Sequence, residues 1–297
     1  MSKNINLSNA KKNKNDEFYT KLTDVEKELM HYKEMFVGKT IYCNCDDPVK
    51  SNFVKWFYMR FNILHLKRII VTAYNSVGCG LYWDSDFATV DPKSIDISKE
   101  IEKDVRNLNG DGDFRSDECI DLLKQADIVV TNPPFSLFRE YVKVLMDNNK
   151  DFVILGNMNA ITYKEVFPCI KNNKIGLGFT NGGKSFIIPN GEEKTVNICW
   201  YTTFPISKHN EELILFRKYT PESYPKYDNY DAINVDKLCD IPEDYDGVIG
   251  VPISFLDKYN PKQFEIIGNE YSLNIDRGRG YVAGKRMYSR IFIKKIE

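Results

Sequence analysis

The 297-residue chain predicts an α/β fold: a doubly wound, Rossmann-like sheet followed by a smaller C-terminal region. Three observations carry that expectation. Short aliphatic runs alternate with helical periods from about residue 39 to residue 201. One of these runs, Ile128-Val129-Val130, breaks off at Asn132-Pro133-Pro134-Phe135. Near Lys218 the periodicity gives way to a polar, tyrosine-rich stretch, Ser223 to Asp231.

Bulk properties narrow the function classes. With 42% apolar residues the chain can bury a large core, and no run of about 18 apolar residues suggests a membrane span. A net charge of −1 argues against a general nucleic-acid coat and leaves room for local basic patches. Two patches stand out. Lys11, Lys12 and Lys14 lie in a polar stretch, residues 1–15, expected to be a disordered arm with no apolar core for a signal peptide. Arg277, Arg279, Lys285, Arg286, Arg290, Lys294 and Lys295 lie in a stretch free of Asp and Glu, interleaved with glycine and tyrosine, which reads as a DNA-facing loop. Seven cysteines at irregular spacing and three histidines complete no zinc set. Cys43 and Cys45 share a strand face, and the cysteines read as reduced thiols of a cytoplasmic protein with no metal.

Taken in order, Val25, Leu29, Tyr32 and Phe36 fall on one face of a helix expected from Asp24 to Phe36, and Gly38 suits its C-cap. Lys39–Cys45 reads as the first strand, Asp46–Asn52 as a turn and Phe53–Phe61 as an apolar helix, the first βα unit of a nucleotide-binding sheet. Arg68–Tyr74 is the second strand. Tyr82–Asp86 and Ser94–Ile97 read as an inserted hairpin around Asp91-Pro92. Gly110 to Phe114 is a turn, Asp117–Gln125 a helix, and Ile128–Val130 a buried strand. Leu137–Met146 is a helix with Phe138, Tyr141, Val142 and Leu145 on one face; Phe152–Gly156 is the fifth strand. A short helix from Val166 to Lys171, a strand from Lys174 to Phe179 and a hairpin of 184–189 with 196–201 around Asn190-Gly191 close the sheet. Beyond them Gly247–Pro252 reads as an edge strand. The expected domains are 1–15 (arm), 16–216 (catalytic) and 217–297 (recognition).

The strand that ends at Asn132 has a definite chemistry. Two prolines cannot donate to a ladder, so they stop the strand and fix φ. The Asn132 side chain and the Pro133 carbonyl then form two acceptors held at a strand's carboxyl end. Together they can take both protons of an exocyclic amine and leave its lone pair free to attack a methyl group. Phe135 can stack on the base that carries the amine, a contact worth roughly 1–3 kcal/mol.

Asn132-Pro133-Pro134-Phe135 resembles motif IV of the S-adenosylmethionine-dependent N6-adenine methyltransferases. Phe18-Tyr19-Thr20 resembles motif X, which implies packing at the methionine end of the cofactor, and Gly112-Asp113-Phe114 resembles motif III, which implies that Asp113 meets the cofactor's adenine amine and Phe114 its ring. The first turn lacks the family's usual glycines, and Asp46 and Asp47 become the candidates for the methionine ammonium. After the second strand Tyr74 and Asn75 replace the usual ribose-binding acid. The order X, I, III, IV and a C-terminal recognition region is the gamma-like arrangement. More narrowly, Asp16–Thr20, Cys43-Asn44-Cys45-Asp46-Asp47-Pro48, Gly112–Ser116, Thr131–Phe135 and Tyr224–Asp231 resemble the EcoRI-type adenine DNA methyltransferases across almost the whole chain. The resemblance implies a monomer that flips an adenine out of double-stranded DNA, within a restriction-modification system and at a short palindrome of the GAATTC kind. It adds Asn44, Tyr74 and Asn132 to the residues around the cofactor. The alternatives are a non-catalytic DNA-binding protein on the same fold, or methylation of RNA adenine or protein glutamine.

Overall fold

The computed structural model describes residues 20–87, 96–187, 193–275 and 278–296. Lys11, Lys12, Lys14, Phe18, Tyr19, Arg277 and the turns Asp91-Pro92 and Asn190-Gly191 lie outside them. The chain groups into two compact units, one of the residues up to Met158 with Gly178–Phe204, the other of Asn159–Leu177 with the residues from Pro205 onward.

The first unit is built on a mixed sheet. At its centre β1 (Thr40–Cys43) pairs in parallel with β2 (Arg68–Ala73) on one side and β5 (Ile128–Thr131) on the other, and β5 pairs in parallel with β6 (Asp151–Asn157). All four residues of β1 and all four of β5 are buried, as strands covered on both faces require. Ile41 faces Ile69 and Ile128 in this register. Antiparallel strands flank the centre: β3 (Leu81–Ser85) on β2, β4 (Arg106–Asn107) on β3, β9 (Glu193–Thr202) on β6 and β8 (Gly182–Ile187) on β9. The chain thus winds from β1 to β2 in one direction and from β5 to β6 in the other, which puts a topological switch point between β1 and β5.

Helices supply the crossovers. α3 (Asn52–Arg60) buries Phe53, Val54, Trp56, Phe57 and Tyr58, and its N-cap Ser51 accepts from the Phe53 and Val54 amides at 3.1 and 3.5 Å. α5 (Asp117–Gln125) starts at a capping Ser116, with Asp117 and Glu118 in the dipole-favoured first turn. α6 (Phe138–Asp147) buries the four residues expected of it, Phe138, Tyr141, Val142 and Leu145. The N-terminal helix keeps its expected face but not its continuity. α1 (Leu22–Leu29) and α2 (Lys33–Phe36) are joined by a 3₁₀ turn at Met30–Tyr32. Ser94 and Ile95 of the expected Ser94–Ile97 strand lie outside the described residues, and the rest is corrected: the Asp96 side chain accepts from the Lys99 amide and opens α4 (Ile97–Glu102), whose Ile101 is buried, while β4 takes the place beside β3. A local cap outweighs a short alternation there.

The second unit carries α7 (Phe167–Lys171), the short β7 (Gly176–Leu177) and a separate four-stranded sheet in the order β10 (Ile233–Asn234), β11 (Ile249–Pro252), β15 (Arg290–Lys295), β12 (Phe264–Asn269). A hairpin of β13 (Tyr281–Val282) and β14 (Lys285–Arg286) accompanies it. Two expectations fail here. Residues 249–252 form an interior strand, not an edge. The end of the basic stretch is a core strand, because Ile291, Phe292 and Ile293 are fully buried between β11 and β12.

Candidate active site

The carboxyl ends of β1 and β5 meet at the switch point, where open α/β sheets bind ligands. Asp46 joins them. It is 8% exposed; Oδ1 accepts from the Ser51 hydroxyl at 2.7 Å, and Oδ2 accepts from the Thr131 hydroxyl. The backbone N–H of Asn132 also stabilises its charge. One carboxylate therefore fixes the turn after β1, the cap of α3 and the start of the Asn-Pro-Pro segment. Burial pushes its pKa up to about 6, against the pull of those three donors. Asp47 is also engaged: its Oδ1 accepts from the Val49 and Lys50 amides at 2.9 and 3.1 Å. These bonds give the glycine-free turn its rigidity.

Asn44 is a second junction. Its buried Oδ1 accepts from the hydroxyl of Tyr141 on α6, and the Phe114 ring meets the Tyr141 ring edge-on at 5.0 Å between centroids. The turns after β1 and before α5 are thereby tied to the helix that follows Asn132-Pro133-Pro134-Phe135. The loop before α5 also approaches the end of β2. Gly112 has φ +83°, and a Cβ there would lie 2.4 Å from the Ala73 carbonyl oxygen, so only glycine permits the approach. The Asn75 amide donates to the Asp111 carbonyl at 2.8 Å.

Asp113 follows. Its Oδ1 accepts from the Arg115 amide and Nε at 2.8 and 2.9 Å, and its Oδ2 from Nη2 at 2.6 Å. The Arg115 guanidinium holds the Asp113 carboxyl below the usual carboxylate range and bridges onward to Glu140. Oδ2 takes one of these bonds and keeps a lone pair for a further donor. Tyr74 stands at the end of β2 and is 56% exposed. Thr20, the described member of the Phe-Tyr-Thr block, is brought to the start of α3: its carbonyl accepts from Asn52 Nδ2 at 2.8 Å, and its Oγ1 is buried with no hydrogen-bond partner among the described residues.

Pro133 is buried, while Asn132, Pro134 and Phe135 are half-buried. Pro134 (φ −61°, ψ 122°) caps a 3₁₀ turn at Phe135–Leu137, and its carbonyl accepts from the Leu137 amide at 3.0 Å. The prolines end β5 at Thr131, as their chemistry demands.

The structure thus brings Thr20, Asn44, Asp46, Asp47, Asp113, Phe114 and Asn132 onto connected elements of one unit. Sequence reasoning missed Ser51, Thr131, Tyr141 and Arg115. A Ser three residues before the apolar Val54 signals the cap; the other three depend on contacts distant in sequence or on a side-chain geometry that spacing does not encode. In the second unit, the DNA-facing expectation for Arg290 is corrected. It is 5% exposed, pairs with Asp236 at 2.6 Å and donates to Asn234 Oδ1 at 3.3 Å, so it holds the sheet together. No His, Cys, Asp or Glu cluster suited to a metal occurs among the described residues, and no helix among them is long and apolar enough to cross a membrane.

Comparison with known proteins adds an independent observation. Residues 6–295 match the family described as adenine-specific methyltransferase EcoRI. The chain is 47% identical to the type II methyltransferase M.EcoRI of Escherichia coli, over 97% of this chain and 95% of that protein. It is 38% identical to the type II methyltransferase M.MgeORF184P of Mycoplasma genitalium and 36% identical to M.MpnI of Mycoplasma pneumoniae, in each case over 97% of this chain and 98% of the relative.

Proposed function

The chain belongs to the EcoRI family of adenine-specific methyltransferases, and from that premise we propose that it methylates the N6 amine of an adenine flipped out of double-stranded DNA. The observation that carries this reading is the placement of Asn132-Pro133-Pro134-Phe135 at the switch point, pinned there by Asp46. The bound adenine donates its two amine protons to Asn132 Oδ1 and the Pro133 carbonyl, and its ring stacks on Phe135. Stacking and hydrogen bonding offset part of the few kcal/mol that flipping costs. The lone pair left free by these two acceptors would attack the donor's methyl carbon, the N–C bond forming as the C–S bond breaks and a neutral thioether leaves; the proton would pass to solvent once the nitrogen is cationic, and no metal is needed.

S-Adenosylmethionine, when bound, supplies the methyl group as a sulfonium electrophile. The residues present fit that group. Asp113 keeps an acceptor for the adenine amine, the exposed Tyr74 offers an aromatic face, Phe114 packs beneath the loop against Tyr141, and the buried Thr20 Oγ1 awaits a partner. Asn44 and Asp47 lie in the first turn, and Asn52 at the start of α3 holds the Thr20 carbonyl. Asp46 acts by fixing that turn, because its oxygens are taken by Ser51, Thr131 and Asn132. Lys285 and Arg286 supply cationic contacts to the duplex. The enzyme works as a cytoplasmic monomer in a restriction-modification system, beside a cognate endonuclease it need not touch, on a short palindrome of the GAATTC kind.

The test is transfer of labelled methyl to mixed-sequence duplex DNA, then nucleoside analysis. N6-methyldeoxyadenosine is the expected product. Label found in RNA or in protein glutamine instead would keep the amine chemistry and reject the substrate, and no transfer to any of the three would reject the catalytic reading.

A further inference from the structure

The cations of the C-terminal stretch divide into two groups. Arg279 and Arg290 are turned inward: Arg279 Nη1 is buried 4.0 Å from Glu270 Oε2, and Arg290 pairs with Asp236. Lys285 and Arg286 are exposed and form no ion pair among the described residues. They occupy the β13–β14 hairpin, whose strands have two residues each, too few to hold a ribbon together in water.

The hairpin is held from outside. Its turn residues Ala283 and Gly284 have φ of 48° and 72°, the two positive values of a type I′ turn. Alanine is disfavoured there. The Asp228 carboxylate accepts from both turn amides, Ala283 at 3.1 Å and Gly284 at 2.7 Å, while its own N–H donates to the Tyr281 carbonyl at 2.7 Å. Asn229 accepts from the Tyr281 amide at 3.1 Å and donates to the Arg279 carbonyl at 2.9 Å. Val282 and Met287 pack on the cluster of Tyr227, Ala232, Ile275 and Phe292. Since Val282 faces that cluster, strand alternation sets Tyr281 and its cross-strand partner Arg286 on the opposite face.

We propose that this hairpin is the sequence-reading probe of the enzyme. Arg286 reads base edges in the major groove, Lys285 takes a backbone phosphate, and Asp228 and Asn229 are positioning residues that hold the turn. The major groove admits a two-stranded ribbon, and a guanidinium fork matches the O6 and N7 acceptors of guanine. Cations with no ion pair among the described residues, on a clamped exposed turn, suit a polyanion read at a fixed geometry, whereas a merely solvated loop needs no clamp. This inference rests on the duplex-DNA substrate proposed above.

The test uses the full chain and a library of duplexes with single substitutions in the preferred site, read as ratios of methylation rate. Arg286→Ala should lower the preference at one G·C position about tenfold or more while hardly changing the salt slope. Lys285→Ala should weaken binding to all duplexes alike and reduce the salt slope by about one. Asp228→Ala should reproduce the loss of preference, and Asp228→Asn, which keeps one acceptor, should restore part of it. If Arg286→Ala keeps the wild-type preference at every position, or Asp228→Ala changes only the melting temperature, the probe assignment is overturned and the substrate stands. If the wild-type chain transfers no methyl to any duplex, the substrate itself is overturned.

Discussion

Asp46 and Thr131, 85 residues apart, share a buried hydrogen bond that ties the turn after β1 to the last residue of β5. Thr131 is fully buried, so its hydroxyl has no water to turn to, and the carboxylate would lose one of the donors that stabilise its charge. Thr131→Val keeps the shape and removes the donor. It should cost roughly 1–3 kcal/mol of stability, the penalty of an under-satisfied buried group. Activity should fall with it, because Asn132 is the next residue. Urea titration and single-turnover methylation measure the two effects. A variant with unchanged stability and rate would refute the role given to this bond.

The same carboxylate makes stability depend on pH in an unusual direction. Burial raises the Asp46 pKa from 3.8 to about 6, so the folded chain binds this proton more tightly than the unfolded chain does. Its contribution is fully present below about pH 4 and is lost as pH rises through about 6. The difference amounts to roughly 3 kcal/mol across that window. Asp46→Asn removes the titration, so the stability of the variant relative to wild type should climb between pH 4 and pH 7. Parallel stability curves over that range would contradict the assignment.

How much of this could be read from the sequence depends on distance along the chain. The end of β5 was legible because a β-branched run and two prolines act locally, and the faces of α1 and α6 because helical spacing reports burial directly. The node at Asp46 was legible only as an acidic turn, since Thr131 is too far away for spacing to pair them. The strand β15 was hidden because Ile291-Phe292-Ile293 sits between Arg290 and Lys294-Lys295, so its charged flanks dominated the reading. Arg290 became visible as a core residue only once Asn234 and Asp236 were placed beside it.

Asn132→Ala tests the amine-binding step apart from the cofactor site. On the proposed mechanism the side-chain oxygen is one of two acceptors for the attacking amine, and it would tighten its hold as that nitrogen gains positive charge. Its loss should lower kcat by roughly 10²–10³, the usual effect of removing one group matched to developing charge. S-Adenosylmethionine affinity measured by calorimetry should stay near wild type, because Thr20, Asn44, Asp47 and Asp113, the residues proposed to hold it, are untouched. Equal losses in both quantities would place Asn132 in the cofactor site alone.

Ala283 offers a gain rather than a loss. Its φ of 48° is left-handed, a conformation that costs an L-residue with a plain Cβ about 1–2 kcal/mol, and Asn tolerates it better. Asn-Gly is also the favoured pair for a type I′ turn, and Gly284 already fills the second position. Ala283→Asn keeps the amide that donates to Asp228, so the clamp survives the change. The variant should be more stable by about 0.5–1 kcal/mol. Hydrogen exchange should slow at the Ala283 and Gly284 amide positions, since the turn that Asp228 holds would open less often. Val at the same position should do the reverse, because a β-branched side chain is worse still at positive φ. If Asn and Val shift stability equally, the turn is not under the constraint that its dihedral angles imply.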